Sequence, residues 1–114
     1  MIDLKKLKGA NLTTELCGVK LQSPFILSSG PLTYAAEGMI RAHEAGCGAV
    51  VTKTIRYEAA INPVHHIGKI NKDSLINCEK WADSPPEVWF EREIPMAKKA
   101  GCVVIASVGH TFPE

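Results

Sequence analysis

Two tripeptides, Ala45-Gly46-Cys47 and Ala100-Gly101-Cys102, stand 55 residues apart, and each leads into an apolar run that turns polar at its end. The first run is Ala49-Val50-Val51, followed by Thr52-Lys53-Thr54. The second is Cys102-Val103-Val104-Ile105-Ala106, followed by Ser107. Earlier in the chain, Phe25-Ile26-Leu27 stops in the same way at Ser28-Ser29-Gly30. Short β-branched runs of this kind suit strands buried on both faces. Repeats of helix, glycine stop, buried strand and polar strand end make a parallel sheet with right-handed crossovers. In such a sheet the polar strand ends all lie on one side, where ligands of α/β proteins collect.

Two architectures accept this unit, a small doubly wound sheet and the opening of a (β/α)8 barrel. A closed barrel takes about 250 residues, and this sequence has 114. The expectation is an α/β chain forming one unit over residues 1–114: an incomplete (β/α)8 TIM barrel with an N-terminal hairpin, about three parallel strands and two helices.

Local signals fill in the order. Leu12 to Phe25 reads as a hairpin reversing at Gly18, then a strand entry. Thr33 is the expected N-cap of a helix over Ala35–Ala45, with Gly46 as its left-handed stop. Tyr57 to Asp83 lacks clean periodicity and is expected to be a long loop, which in a compact chain usually serves a function. Ser84-Pro85-Pro86-Glu87 reads as a capping box with proline at the first helical position. The helix it opens should run to about Ala100, divided near Ile94 by Pro95.

Composition matters here for what it excludes. A net charge of +1, with both signs mixed along the chain, gives no electrostatic reason for nucleic acid or an anionic membrane as a partner. No apolar run approaches the roughly 20 residues of a membrane span, and Met1 to Lys6 lacks the character of a secretory signal. A cytoplasmic chain is the expectation. Cys17, Cys47, Cys78 and Cys102 form no C-x-x-C, so no metal site is assigned; Cys47 and Cys102 read as small buried fillers.

Candidate binding residues follow from the strand ends. Lys53, between two threonines, can offer charge and donors to a ligand there; the plainer alternative is a strand-end lysine reaching for solvent. Within the long loop, Asn77-Cys78-Glu79 sets an amide beside a carboxylate. An amide both donates and accepts, which suits the edge of a ring bearing carbonyl and N–H groups. The plainer alternative is a polar loop turn with Trp81, two residues further on, packed on the barrel or domain surface.

Several of these pieces together resemble a known family. Cys17-Gly18-Val19-Lys20-Leu21, then Ser23-Pro24-Phe25 and Ser28-Ser29-Gly30-Pro31, are similar to the start of class 1 dihydroorotate dehydrogenases, as is Gly48 to Thr54. Asn77-Cys78-Glu79 and Val104-Ile105-Ala106-Ser107 are closer to the pyrimidine-reducing dihydropyrimidine dehydrogenase branch. The resemblance runs from about Thr13 to Gly109. It implies the N-terminal portion of a barrel that binds flavin mononucleotide (FMN) and moves hydride between a pyrimidine and the flavin. Carried over residue by residue, it implies flavin contacts from Ser28, Ser29, Gly30, Lys53, Thr54 and Ser107. Lys53, Asn77 and Glu79 would meet the pyrimidine, with Lys53 supporting charge that develops on reduction. Trp81 departs from the smaller aliphatic residue of the family pattern and bears on the size of the pocket.

The family's proton-transferring cysteine or serine belongs to a later strand, and its phosphate site to the last strands. Cys102 precedes its strand and is not that catalyst, so no catalytic residue is assigned. The isolated chain is expected to lack turnover, to bind FMN weakly, and to depend on the rest of a barrel or on homo-oligomerisation. An alternative is a non-catalytic α/β module that binds a ligand or partner and oligomerises through its open sheet; strands from several copies completing a barrel is a third.

Overall fold

The computed structural model describes residues 9–109. A hairpin opens it, β1 (Thr14–Leu16) antiparallel to β2 (Val19–Leu21), with Leu16 opposite Val19. Both turn residues take positive φ, Cys17 at 50° and Gly18 at 80°. A two-residue reversal needs that backbone to match the strand twist.

Three parallel strands follow in sequential order: β3 (Ile26–Leu27), β4 (Ala49–Val51) and β7 (Val104–Ile105). Leu27, Val50 and Val104 lie in one row of the register. That row faces the helices: Val50 is 1% exposed, in a core with Ala36, Met39, Trp89, Ala97 and Cys102. The neighbouring rows turn to the opposite face, where Ile26 and Ile105 are 39% and 37% exposed. The helices α1 (Ala36–Glu44) and α3 (Ile94–Lys99) meet each other and this one core, so they share a face of the sheet. Among the described residues the sheet does not close, and β3 and β7 are its edges. The expected α/β unit with a hairpin and three parallel strands is present.

The hairpin is tied to the end of α1. Gln22 Nε2 donates to the carbonyls of His43 (2.9 Å) and Cys47 (2.7 Å), and Ser23 Oγ to that of Gly46 (2.6 Å). These carbonyls belong to the last turn of α1 and the two residues after its cap, and His43 O also accepts the N–H of Gly46. Gly46 itself has φ of 103°, the expected left-handed stop. Gly48 N–H donates to Phe25 O, and a Cβ on Gly48 would stand 1.9 Å from Ser23 O, so only glycine allows this approach.

Thr33 does not cap α1. It closes a short 3-10 turn, Pro31–Thr33, and exchanges hydrogen bonds with Gly30 instead. The helix begins after Ala35 with no capping side chain of its own. The open N–H of Ala36 is taken by Glu93 Oε2 at 2.6 Å, from the other helix. Glu93 is 2% exposed, and its Oε1 accepts two bonds from Arg92, at 2.7 Å from Nε and 2.6 Å from Nη2. A carboxylate at a helix N-terminus also meets the positive end of the helix dipole. No local sequence rule reaches across 57 residues to find it.

The second helical stretch runs through α2 (Pro86–Val88), a π-helical turn (Trp89–Glu93) and α3. The expected division near Ile94 is there. Pro95 removes a donor, and the wider turn before it absorbs the misfit. The capping box is not formed: Pro85 is the cap residue and makes no side-chain bond, because Ser84 falls one position too early. Cys102 is buried as expected, at 7% exposed, and burial raises its thiol pKa, with the negative Glu44 adding to the rise against a lowering backbone hydrogen bond. Cys47 is only half-buried.

The expected loop 57–83 contains a second hairpin, β5 (Ile67–Asn71) antiparallel to β6 (Ser74–Asn77). Its register is interrupted between Lys69 and Asn71, and β6 is exposed along its whole length. Both features erase the in-and-out alternation that marks a strand. Among the described residues no helix is long and apolar enough to cross a membrane.

Candidate functional site

The carboxyl ends of β4 and β7 do not simply fray. After Val51 pairs with Ile105, pairing resumes in parallel at Ile55 and Val108. One chain takes four steps between those points (51 to 55) and its partner three (105 to 108). The extra residue lies within Thr52-Lys53-Thr54, and an extra residue in a strand bends it and re-aims its side chains.

The interruption is stitched by hydroxyls. Thr52, fully buried, accepts the N–H of Ser107 on Oγ1 at 3.0 Å. Thr54 Oγ1 and Ser107 Oγ lie 3.3 Å apart. Ile55 N–H donates to Ser107 O, and Gly109 N–H to Ile55 O. Lys53 N–H donates to Thr33 O at 3.0 Å, which joins the turn after β3 to the end of β4.

The Lys53 side chain does not reach for solvent. Its Nζ sits 2.8 Å from Glu79 Oε1, with the two side chains 8% and 7% exposed. His66 Nε2 stands 3.9 Å from the same oxygen. Glu79 arrives there because the β5–β6 hairpin returns the chain to its base. Cys78 N–H donates to His66 O at 2.8 Å, and Asn77 Oδ1 accepts Glu79 N–H at 2.8 Å. The sequence-predicted residues therefore fall into four groups. Lys53 and Glu79 are paired, Thr54 and Ser107 are paired, and Asn77 is exposed with its carbonyl engaged by its own loop. Ser28 and Ser29 are exposed at the end of β3, and no described hydrogen bond ties them to the other two strand ends; beside them, Gly30 has open space where a Cβ would stand.

Three contributors were not legible in the sequence. Thr52 stands at the polar strand end, but nothing there marks it as the stitch to Ser107. His66 joins Glu79 only through the hairpin register. Trp81 is 64% exposed and does not pack away on the surface. A Cβ built on Gly109 would stand 3.4 Å from Thr54 Cγ2 and 3.9 Å from Trp81 Cε3 and Cζ3, which sets the indole beside the strand ends. Among the described residues no three His, Cys, Asp or Glu side chains gather as a metal cage.

No family-level sequence profile matches the chain. It is similar to the catalytic subunit of dihydroorotate dehydrogenase B (NAD(+)) of Thermoplasma acidophilum, 35% identical over 99 residues, covering 87% of this chain and 33% of that protein. The same subunit from Methanocella arvoryzae is 32% identical, with 90% of this chain and 34% of the relative covered. A shorter stretch of 47 residues is 43% identical to the NAD-dependent dihydropyrimidine dehydrogenase subunit PreA of Escherichia coli K12, covering 41% of this chain and 11% of that subunit. The chain spans about one third of the length of the dihydroorotate dehydrogenase relatives that it matches along most of its own length.

Proposed function

From this chain's relation to the dihydroorotate and dihydropyrimidine dehydrogenases, we propose that it is the N-terminal portion of an FMN-binding (β/α)8 barrel that exchanges hydride with a pyrimidine. The observation that carries the reading is the buried Lys53–Glu79 pair at the carboxyl end of β4. A lysine ordered at that end of a parallel strand is placed where barrels of this kind do their chemistry. Sequential strand order, with both helices on one face, supports a barrel over a doubly wound sheet, which carries helices on both. Grooves of about 740 Å³ beside β3 and α1, and of about 490 Å³ beside β7 and α3, flank the two open edges where further barrel elements would join.

Hydride chemistry is supplied by FMN when it is bound. The hydroxyls of Thr54 and Ser107 can both donate to and accept from a polar ring edge. With Ser28, Ser29 and Gly30 beside them, they would hold the flavin from the strand ends. Lys53 keeps two donors beyond the one directed at Glu79, and these can hydrogen-bond a pyrimidine oxygen on which negative charge builds up under reduction. Glu79 and Asn77 would fix the pyrimidine edge. Proton transfer to the ring carbon is assigned to none of these residues.

Because Glu79 already neutralises Lys53, the site suits an uncharged ring of the uracil type better than one bearing a carboxylate. Like charges brought together without a partner cost several kcal/mol. With FMN present, saturation-transfer NMR is expected to show uracil bound and orotate not, and Glu79→Gln to turn that preference toward orotate. Preferential binding of orotate to the unaltered chain contradicts the assignment to a neutral ring. Binding of neither contradicts the pyrimidine reading.

A further inference from the structure

Trp81 is an exposed indole whose backbone is fixed on both sides. The N–H of Lys80 donates to Asn62 Oδ1 at 2.5 Å. Ala82, fully buried, accepts the N–H of Ala60 at 2.7 Å. Asn62 in turn donates to Asp83 Oδ1, so one side chain braces the segment before and after the tryptophan. The irregular stretch that follows Arg56 is thus folded back on itself at the point where Trp81 emerges. Its ring nevertheless remains 64% exposed, while the chain's other tryptophan, Trp89, is fully buried.

A large aromatic ring left in water forgoes the stabilisation that its burial would give. The position suggests what covers it. Trp81 neighbours Gly109, where an added Cβ would also meet the methyl of Thr54. The Thr54 and Ser107 hydroxyls, 3.3 Å apart, lie at the same strand ends. Two residues before Trp81 is Glu79, bound to Lys53. A flat apolar face beside hydroxyl, carboxylate and ammonium groups is what a planar heterocycle needs, its faces apolar and its edges polar.

We propose that Trp81 is the stacking surface of the strand-end site and lies against one face of the conjugated ring bound there. This rests on the reading of the strand ends as a site for flavin and pyrimidine. Gly109 belongs to the same device: a side chain at that position would touch both Thr54 and the indole. The ring that Trp81 covers is flavin or pyrimidine, the two sharing a flat conjugated face.

The test uses the purified chain, with acrylamide quenching of tryptophan emission to separate exposed Trp81 from buried Trp89. FMN and uracil are added in separate titrations, each also followed through its own absorption. Shielding of Trp81 by FMN, or by uracil, is the expected result and identifies which ring is stacked. Trp81→Leu is expected to weaken that ligand about tenfold, and Trp81→Phe to keep its affinity within about threefold. Far-ultraviolet circular dichroism of both variants checks that they fold. If a ligand's absorption shifts on binding while Trp81 stays as quenchable as before and Trp81→Leu binds equally well, the stacking role is wrong and the site reading stands. If neither ligand's absorption responds, the site reading fails, and the stacking role with it.

Discussion

Replacing Glu79 with alanine is expected to lower the unfolding free energy by about 3–5 kcal/mol, the range for breaking a buried ion pair from one side. Lys53 and Glu79 meet at 2.8 Å with less than a tenth of either side chain exposed. The truncation removes the carboxylate that Lys53 meets, and among the described residues no other carboxylate pairs with its ammonium. The loss comes chiefly from that stranded charge, so removing both partners should be far milder. Lys53→Met with Glu79→Leu is expected to recover to within about 1–2 kcal/mol of the original chain, since apolar replacements of similar volume often do as well as the pair. Urea unfolding followed by circular dichroism measures both. A Glu79→Ala chain within about 1 kcal/mol of the original would mean that water reaches the pair freely.

The second large effect belongs to Trp89. Its side chain is fully buried in the core shared by α1, β4 and α3, and truncation to alanine is expected to remove about 3–5 kcal/mol. Whole domains are stable by only about 5–15 kcal/mol. This chain also leaves many large apolar side chains in water, Ile61, Val64 and Tyr57 among them. Trp89→Ala is therefore expected to move the thermal transition far below that of the original chain. Trp89→Phe should be much milder, because the indole N–H has no partner among the described residues and its removal strands nothing. Equal losses for phenylalanine and alanine would contradict that packing account.

The contrast between these two sites marks what the sequence could convey. Strand positions were legible because Ala49-Val50-Val51 and Val103-Val104-Ile105 are short apolar runs bracketed by glycine and polar residues, and burial is written directly into such runs. Lys53, Thr54 and Ser107 were legible as strand-end residues for the same reason. What stayed hidden depends on contacts between distant segments. The cap on α1 comes from Glu93, while Thr33, the local candidate, serves a turn of its own. The β5–β6 hairpin was lost because exposure on both faces and a register break remove its period. Its turn did carry a signal: Asn71-Lys72-Asp73 is turn chemistry, with Asn71 Oδ1 accepting the N–H of Asp73. Without that hairpin, periodicity and spacing neither bring Glu79 back to Lys53 nor set His66 beside it; only the family resemblance put Lys53 and Glu79 at one site.

The most direct test of the central claim is a visible-absorption titration of the purified chain with FMN, read together with its mass in solution. The account predicts a saturable change in the flavin bands, weak enough to be lost on desalting and diminished in Lys53→Met at unchanged mass. A flavin spectrum that never responds to the chain, or that responds identically when Lys53 is methionine, would contradict the assignment of these strand ends to a flavin site.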